Sequence, residues 1–324
     1  MRGSYEVRIR NKQKVSYRFT LRRNVTVVCG DSGTGKTTLY DMVATHMRGN
    51  AGNAVSVTCE RPCVALTDVD WAHQLAGMHD SIVFVDEGAR YVESEEFAAA
   101  VGGSSNYFVL FTRRPLHQLA YSVDEVYHIK TSGRIHTFVR AYPSRRGHAY
   151  GVNANGSRTT YTVLLAEDSR SGLQFYESRF SDTGVSCATS GGKAGIYEWL
   201  QAHLGQKVFV VADGAAFGSE ASRILALQAQ HPQDIRLCLP ESFEWLLMSS
   251  GVLRDDTMAE VLRDPAAHID SSEYVSWERF FTDLLKEATV GTPFEYHKRH
   301  LAAAWTVPAN ADKVMAQIAH GNVR

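Results

Sequence analysis

The feature that most constrains this chain is a glycine-rich stretch near its beginning. Residues 30–37 have the sequence GDSGTGKT, which fits the pattern G-x-x-x-x-G-K-[ST]. They lie between a β-branched run at 25–29 and a helical pattern at about 36–47. Glycines let the backbone turn so that successive N–H groups point at one anion, and the following helix presents its positive dipole end to it. The sequence therefore predicts a phosphate-binding loop between a buried strand and a helix.

The residue types in this loop indicate a nucleoside triphosphate with Mg²⁺. Lys36 is expected to reach the β- and γ-phosphates, and the Thr37 hydroxyl is expected to ligate Mg²⁺. The chain has no TKxD or NKxD sequence, so GTP specificity is not supported and ATP is the predicted nucleotide. The residues predicted to bind it are Gly30, Asp31, Ser32, Gly33, Thr34, Gly35, Lys36, Thr37, Thr38, Asp86 and Thr112.

An acidic sequence follows about 50 residues after the glycine-rich loop. Residues 82–87 have the sequence IVFVDE, four apolar residues followed by two carboxylates. Asp86 is expected to hold the water shell of Mg²⁺, and Glu87 is expected to polarise the attacking water. A buried strand that ends in acidic surface is the alternative. The position after the glycine-rich loop favours the catalytic interpretation.

A third apolar run, at 107–111, ends in Thr112, Arg113 and Arg114. Ligands bind at the carboxyl ends of strands in a parallel sheet, so Thr112 is expected to sense the γ-phosphate. Arg113 is expected to stabilise transition-state charge, in its own chain or in a neighbouring copy, which predicts a homo-oligomer. Both arginines suit an exposed loop equally well.

The pattern of apolar residues predicts an α/β protein with two domains. Alternation at 5–21 indicates a leading β-hairpin, and strands then alternate with helices as in a mostly parallel sheet covered on both faces. A closing hairpin is expected at 126–139, and polar stretches at 142–147 and 153–159 indicate a linker. The predicted domains are residues 1–147 and 148–324.

Residues 5–140 resemble the P-loop NTPase superfamily, on the strength of the loop at 30–37 and the carboxylates at 86–87. The leading hairpin and the strand–loop–helix order are most similar to the ABC-type and AAA-type ATPases. Residues 70–80 have no LSGGQ-like sequence, unlike the ABC type. The resemblance implies an ATPase.

The second domain has acidic residues at three predicted strand ends. Glu167 follows a strand at 162–166, Asp213 follows one at 208–212, and Glu244 comes soon after one at 235–239. Side chains at the ends of neighbouring parallel strands would converge, and carboxylate oxygens bind Mg²⁺. Solvated turn residues are the alternative, because Asp and Gly are common turn formers. The last 80 residues are predicted to be helical.

Residues 160–250 resemble a TOPRIM domain, found in topoisomerases, primases and nucleases of phage-defence ATPases. Glu167 matches the first metal-binding position of that family and Asp213 the second. Ala215 stands where the family has another Asp, and Glu244 is the candidate to replace it. The resemblance implies a metal-dependent nuclease.

Composition excludes several other classes of protein. Hydrophobic residues make up 44% and charged residues 21%, which is typical of a globular chain, and no apolar run is long enough to span a bilayer. The five cysteines do not suggest a disulfide framework, so a cytoplasmic protein without a membrane partner is expected. A net charge of −1 leaves a nucleic-acid partner open.

Three functional hypotheses remain at this stage. The first is an ATPase whose nucleotide state controls a metal-dependent nuclease, in phage defence. The second is an ATPase switch with a C-terminal domain that binds a partner or nucleic acid without catalysis. The third is a P-loop phosphotransferase.

Overall fold

The computed structural model describes residues 1–49, 55–144, 148–150 and 160–318. The chain divides into two units, Met1–Ala141 with Asp264–Ser276, and Tyr142–Arg263 with Trp277–Arg324. The sequence predicts a boundary at 147/148 and residues 264–276 in the second domain, whereas in the structure residues 264–276 belong to the first unit. The predicted linker residues 145–147 and 153–159 lie outside the described residues.

The described strands and helices follow one another along the chain as follows. The strands are β1 Tyr5–Asn11, β2 Ser16–Leu21, β3 Val25–Val28, β4 Val55–Thr58, β5 Cys63–Leu66, β6 Ile82–Val85, β7 Tyr107–Phe111, β8 Val126–Ser132, β9 Ile135–Arg140, β10 Ala149–Tyr150, β11 Val163–Ala166, β12 Ser186–Thr189, β13 Val208–Val211 and β14 Ile235–Cys238. The helices are α1 Lys36–Met47, α2 Trp71–Ala76, α3 Glu95–Gly102, α4 Ser171–Phe180, α5 Lys193–Ala202, α6 Gly218–Gln230, α7 Phe243–Ser249, α8 Asp256–Arg263, α9 Pro265–His268, α10 Trp277–Thr289, α11 Ala303–Thr306 and α12 Pro308–Met315. Short 3-10 helices lie at Arg90–Glu93, Val123–Glu125 and Gly214–Ala216.

The first unit contains a nine-stranded sheet in the order β4-β1-β2-β9-β8-β3-β7-β6-β5. The five strands from β8 to β5 are parallel, as the apolar, fully buried sequences of β3, β6 and β7 predict. Both predicted hairpins are present, because β1 pairs antiparallel with β2 and β8 pairs antiparallel with β9. The α/β class is thereby confirmed. Strand β5 was not predicted.

The large sheet must be strongly curved. Strands β4 and β5 are at its two opposite edges, yet only residues 59–62 connect them. A flat sheet would separate these edges by about 38 Å, at 4.8 Å per strand. Five extended steps of the chain span only about 18 Å. Accordingly, Phe19 of β2 contacts Phe84 of β6, with ring centroids 6.4 Å apart, and Leu39 and Val43 of α1 pack in the same core.

Residues 264–276 complete the first unit although they lie far along the chain. The backbone N–H of Gly3 donates to the carbonyl of Ala266 at 2.7 Å, and the side-chain amide of Asn24 donates to the carbonyl of Val275 at 3.0 Å. This segment therefore hydrogen-bonds residues that come just before β1 and β3.

The second unit contains a five-stranded sheet in the order β10-β14-β13-β11-β12. Strands β14, β13, β11 and β12 are parallel, and β10 is an antiparallel edge strand. The predicted alternation of strands and helices over 162–239 is present, with every boundary within three residues of its predicted position. Within the described part of the chain, no helix is long and apolar enough to cross a membrane.

Candidate functional site

The glycine-rich loop lies at the carboxyl end of β3 and leads directly into α1. Gly30, Gly33 and Gly35 have φ angles of 135°, 82° and 96°. Residues with side chains rarely adopt these conformations, which explains the glycines at these positions. Gly35 is the N-cap of α1 and has no side chain to cap the first N–H groups. Those groups and the helix dipole favour an anion at this end of the helix.

Tyr17 of β2 supports the loop from one side. Its hydroxyl donates a hydrogen bond to the carbonyl of Gly35 at 2.9 Å and also hydrogen-bonds the side chain of Thr38. Burial raises the pKa of Tyr17 to about 12, so the phenol stays protonated. The ring stacks on His136 of β9, with centroids 4.5 Å apart. A Cβ atom at position 35 would come within 2.7 Å of the Tyr17 hydroxyl.

Lys36 is buried, and its ammonium group points back into the loop. The Nζ atom donates to the carbonyl of Gly30, to the carbonyl of Asp31 at 2.9 Å and to the hydroxyl of Thr34 at 3.3 Å. It also pairs with Glu87 at 3.2 Å. A buried side-chain cation therefore lies at the centre of the loop.

Glu87 and Arg113 come to the same place from β6 and β7. Strand β7 lies between β3 and β6, so the carboxyl ends of all three strands meet beside the loop. The Glu87 carboxylate pairs with Arg113 as well as with Lys36, and Nη2 of Arg113 donates to the hydroxyl of Ser32 at 2.8 Å. The structure thus brings together the three residues that the sequence predicted to be catalytic. Arg113 contacts the loop of its own chain.

Asp86, the predicted ligand of the Mg²⁺ shell, is partly buried next to Glu87. Burial raises the pKa of its carboxyl group, and nearby Asp41 and Glu87 add to the effect. Its Oδ1 atom is buried and has no hydrogen-bond partner among the described residues. Thr37, the other predicted ligand, is exposed in the first turn of α1.

Thr112 has a local role in the structure. Its hydroxyl donates to the carbonyl of Arg114 at 2.8 Å and accepts from the N–H of Arg114 at 3.0 Å. These bonds close a tight turn at the end of β7, which aims Arg113 at the loop. The predicted γ-phosphate contact by Thr112 would have to replace them.

In the second unit, the three predicted metal ligands line one cavity of about 210 Å³. Glu167 and Asp213 follow the adjacent parallel strands β11 and β13, and Glu244 lies in the first turn of α7. Glu278 of α10 and Lys298 line the same cavity. Neither Glu278 nor Lys298 was predicted, because the sequence marks each of them with neither a motif nor a strand end.

Each carboxylate of this cavity has at least one local hydrogen-bond partner. Glu167 accepts from the backbone N–H of Asp213 at 2.9 Å, and Asp213 accepts from the N–H of Phe243 at 3.1 Å. Glu244 accepts from the Tyr296 hydroxyl at 2.7 Å, and Glu278 accepts from Lys298 at 2.7 Å. The last pair places a positive charge among the acids.

Burial raises the pKa of both Glu167 and Asp213, and for Asp213 the neighbouring Glu278, Glu167 and Glu244 add to the effect. In the described part of the chain, no group of three or more His, Cys, Asp or Glu side chains is arranged to hold a metal ion. The cavity therefore gathers the predicted ligands without forming a ready coordination site. Ala215 is buried in the 3-10 helix Gly214–Ala216, and no acid replaces it there.

No family model, no curated protein and no solved structure matches this chain.

Proposed function

We propose that the first unit binds MgATP and hydrolyses it. The observation that carries this proposal is the convergence of Lys36, Glu87 and Arg113 on the glycine-rich loop. Phosphoryl transfer needs little covalent chemistry from a protein and depends on positioning and on stabilising charge. Two cations, one carboxylate and a helix N-terminus at one loop provide both.

The residues present fit Mg²⁺. Mg²⁺ in nucleotide sites is held by one or two protein oxygens, substrate phosphates and several waters, so it needs no cage of three side chains. The carboxylate of Asp86, whose Oδ1 atom has no partner among the described residues, and the exposed hydroxyl of Thr37 are suitable groups. When bound, the ion would neutralise negative charge on the phosphates.

The contacts around Glu87 suggest how substrate prepares the site. Its carboxylate is now paired with Lys36 and Arg113. An entering triphosphate competes for both cations, since phosphate oxygens bind Lys and Arg through charge-assisted hydrogen bonds. Glu87 then becomes available to orient a water molecule and accept its proton, while Lys36 and Arg113 stabilise the phosphates.

Equilibrium binding of a fluorescent ATP analogue, together with phosphate release, tests this proposal. The proposal is supported if the analogue binds with a micromolar dissociation constant, if ATP displaces it, and if phosphate is released from ATP only when Mg²⁺ is present. Absence of binding at millimolar ATP would overturn it. Transfer of labelled γ-phosphate to an acceptor, without free phosphate, would instead support the phosphotransferase alternative.

A glycine substitution tests the loop conformation. Gly35→Ala places a Cβ atom 2.7 Å from the Tyr17 hydroxyl at a φ angle of 96°. We expect ATP affinity to fall about 10-fold or more, because left-handed backbone costs about 1–2 kcal/mol with a side chain and the clash adds to it. The measurement is a titration with the fluorescent analogue.

Gly133→Ala is the matched control for this substitution. Gly133 also has a positive φ angle, 60°, but nothing lies within 4 Å of the added Cβ. Gly133→Ala should lose less stability than Gly35→Ala, because it has the backbone cost without the clash, and it should keep the ATP affinity of the wild type. Equal ATP binding by the two variants would contradict the role given to the loop.

For the second unit, we propose a divalent-cation site that acts in phosphodiester cleavage. The observation in its favour is that Glu167, Asp213 and Glu244 line one cavity at the carboxyl ends of neighbouring parallel strands. Such strand ends are where α/β proteins bind ligands. Incubation with Mg²⁺ or Mn²⁺, ATP and plasmid DNA or RNA, scoring cleavage and phosphate together, tests both this activity and its control by nucleotide.

Thermal unfolding of Asp213→Asn separates a cation site from a merely buried acid. The pKa of Asp213 is raised in the folded state, so folding takes up a proton and stability falls as pH rises above the ordinary Asp value of about 4. Without metal, we expect the variant to melt above wild type at pH 8 and the difference to vanish near pH 4.

With Mn²⁺, the wild type should gain stability and Asp213→Asn should not, since binding to the folded state alone raises the melting temperature. Glu177→Gln, on the exposed face of α4, is the control and should behave as wild type. If Mn²⁺ stabilises neither protein, the cavity is a buried acid cluster and the nuclease proposal fails.

A further inference from the structure

Two buried polar atoms near the end of β6 lack hydrogen-bond partners among the described residues. One is Oδ1 of Asp86 and the other is the hydroxyl of Tyr91, in the 3-10 helix Arg90–Glu93. Leaving a buried donor or acceptor unpaired is costly, so native proteins rarely do so without a reason. A donor and an acceptor left unpaired in one region suggest that they pair in another state of the protein.

The ring of Tyr91 is held firmly, which fixes the place of its hydroxyl. It stacks on Trp71 with centroids 4.9 Å apart, and it packs edge-on against Phe97 at 5.3 Å. Burial raises the pKa of Tyr91 well above its usual value, and the nearby carboxylates of Asp68 and Asp86 raise it further. The hydroxyl therefore stays protonated as a hydrogen-bond donor. The ends of β5 and β6 are adjacent, since Leu66 pairs with Val85, so Asp86 and the segment that leads to Trp71 leave the sheet side by side.

Tyr40 is the other tyrosine in this neighbourhood, and it has a different role. It lies one turn after Thr37 on α1, and its hydroxyl donates to the carbonyl of Leu66 at 2.9 Å. That bond ties α1 to the end of β5. The Tyr40 hydroxyl is therefore engaged with a backbone carbonyl, whereas the Tyr91 hydroxyl has no partner among the described residues.

We propose that Tyr91 is a positioning residue for Asp86 in the Mg²⁺-nucleotide state. Its hydroxyl donates to Asp86 Oδ1, directly or through one water, and holds the carboxylate toward the water shell of the ion. Carboxylates in metal sites are themselves held by hydrogen bonds, and loss of such an outer partner costs about 10- to 100-fold in metal affinity or activity. The inference rests on the proposed binding of MgATP by the first unit.

Tyr91→Phe tests the role, because it removes the hydroxyl and keeps the ring contacts. The measurement is the dissociation constant of the fluorescent ATP analogue, with excess Mg²⁺ and with EDTA. We expect the affinity for the analogue in EDTA to be the same as in the wild type. The gain from Mg²⁺, defined as the factor by which Mg²⁺ increases that affinity, should be about 10-fold smaller. The melting temperature without nucleotide should be equal to or above wild type, since the variant loses an unpaired buried group.

Tyr40→Phe is the matched control and should show the reverse pattern, a lower melting temperature and a normal gain from Mg²⁺. In an Asp86→Ala background, Tyr91→Phe should have no further effect on that gain. An unchanged gain in Tyr91→Phe, or an additional loss in the double variant, overturns the inference. Failure of the wild type to bind ATP at all overturns the proposed function instead.

Discussion

Lys36→Ala is expected to weaken ATP binding about 100-fold or more. The side chain is buried, and its ammonium lies among the carbonyls of Gly30 and Asp31, facing the space that the phosphates would enter. Removing one partner of a buried charged pair typically costs about 2–5 kcal/mol, and every 1.4 kcal/mol is tenfold in affinity. Titration with the fluorescent ATP analogue measures the loss directly.

The variant also leaves two loop carbonyls and Glu87 without this cation, so folding must be checked. Circular dichroism and the melting temperature give that check, and Lys36→Met separates loss of charge from loss of side-chain packing. Lys12→Ala, in the exposed turn between β1 and β2, controls for net charge. A folded Lys36→Ala protein with normal ATP affinity and turnover would remove the basis of the proposed function.

Glu87→Gln is expected to retain ATP binding and to lose hydrolysis. Loss of a general base or of a water-orienting group costs about 10²- to 10⁴-fold in rate. The same change removes the negative charge that now pairs with Lys36 and Arg113, so ATP affinity should be equal to wild type or tighter. Single-turnover phosphate release and the binding titration measure the two effects separately.

Glu93→Gln, an exposed neighbour in the 3-10 helix Arg90–Glu93, is the control and should hydrolyse ATP as wild type does. Turnover at the wild-type rate in Glu87→Gln would mean that another group positions the water. A parallel loss of binding and turnover would mean that Glu87 mainly holds the loop in shape.

The parts of the fold that the sequence predicted are those specified by short-range patterns. Alternation in β1 and β2 gave the first hairpin, and the continuous apolar runs of β3, β6 and β7 gave buried parallel strands. The glycines of the loop predicted a sharp backbone turn, and in the structure Gly30, Gly33 and Gly35 have positive φ angles. Strand-end positions made Glu87 and Arg113 candidates for the site, but they left Arg113 equally suited to an exposed loop, and its place beside Glu87 comes from the structure.

What the sequence did not predict depends on contacts between distant parts of the chain. Glu278 and Lys298 join the carboxylate cavity from α10 and from the segment after it, and neither lies in a motif. The pairing of Glu87 with Lys36 follows from the order of strands in the sheet, which local patterns do not specify. The unpaired hydroxyl of Tyr91 is visible only once its surroundings are packed.

The placement of residues 264–276 in the first unit has a consequence for how the protein is made. A ribosome synthesises β1 to β9 first, then the sheet of the second unit, and only afterwards the segment that bonds Gly3 and Asn24. The first unit therefore cannot reach its final form during synthesis until most of the chain has emerged. Contacts over so long a sequence separation slow folding. A gene fragment ending at residue 141 would lack this segment, so the nucleotide site is best studied in the full chain.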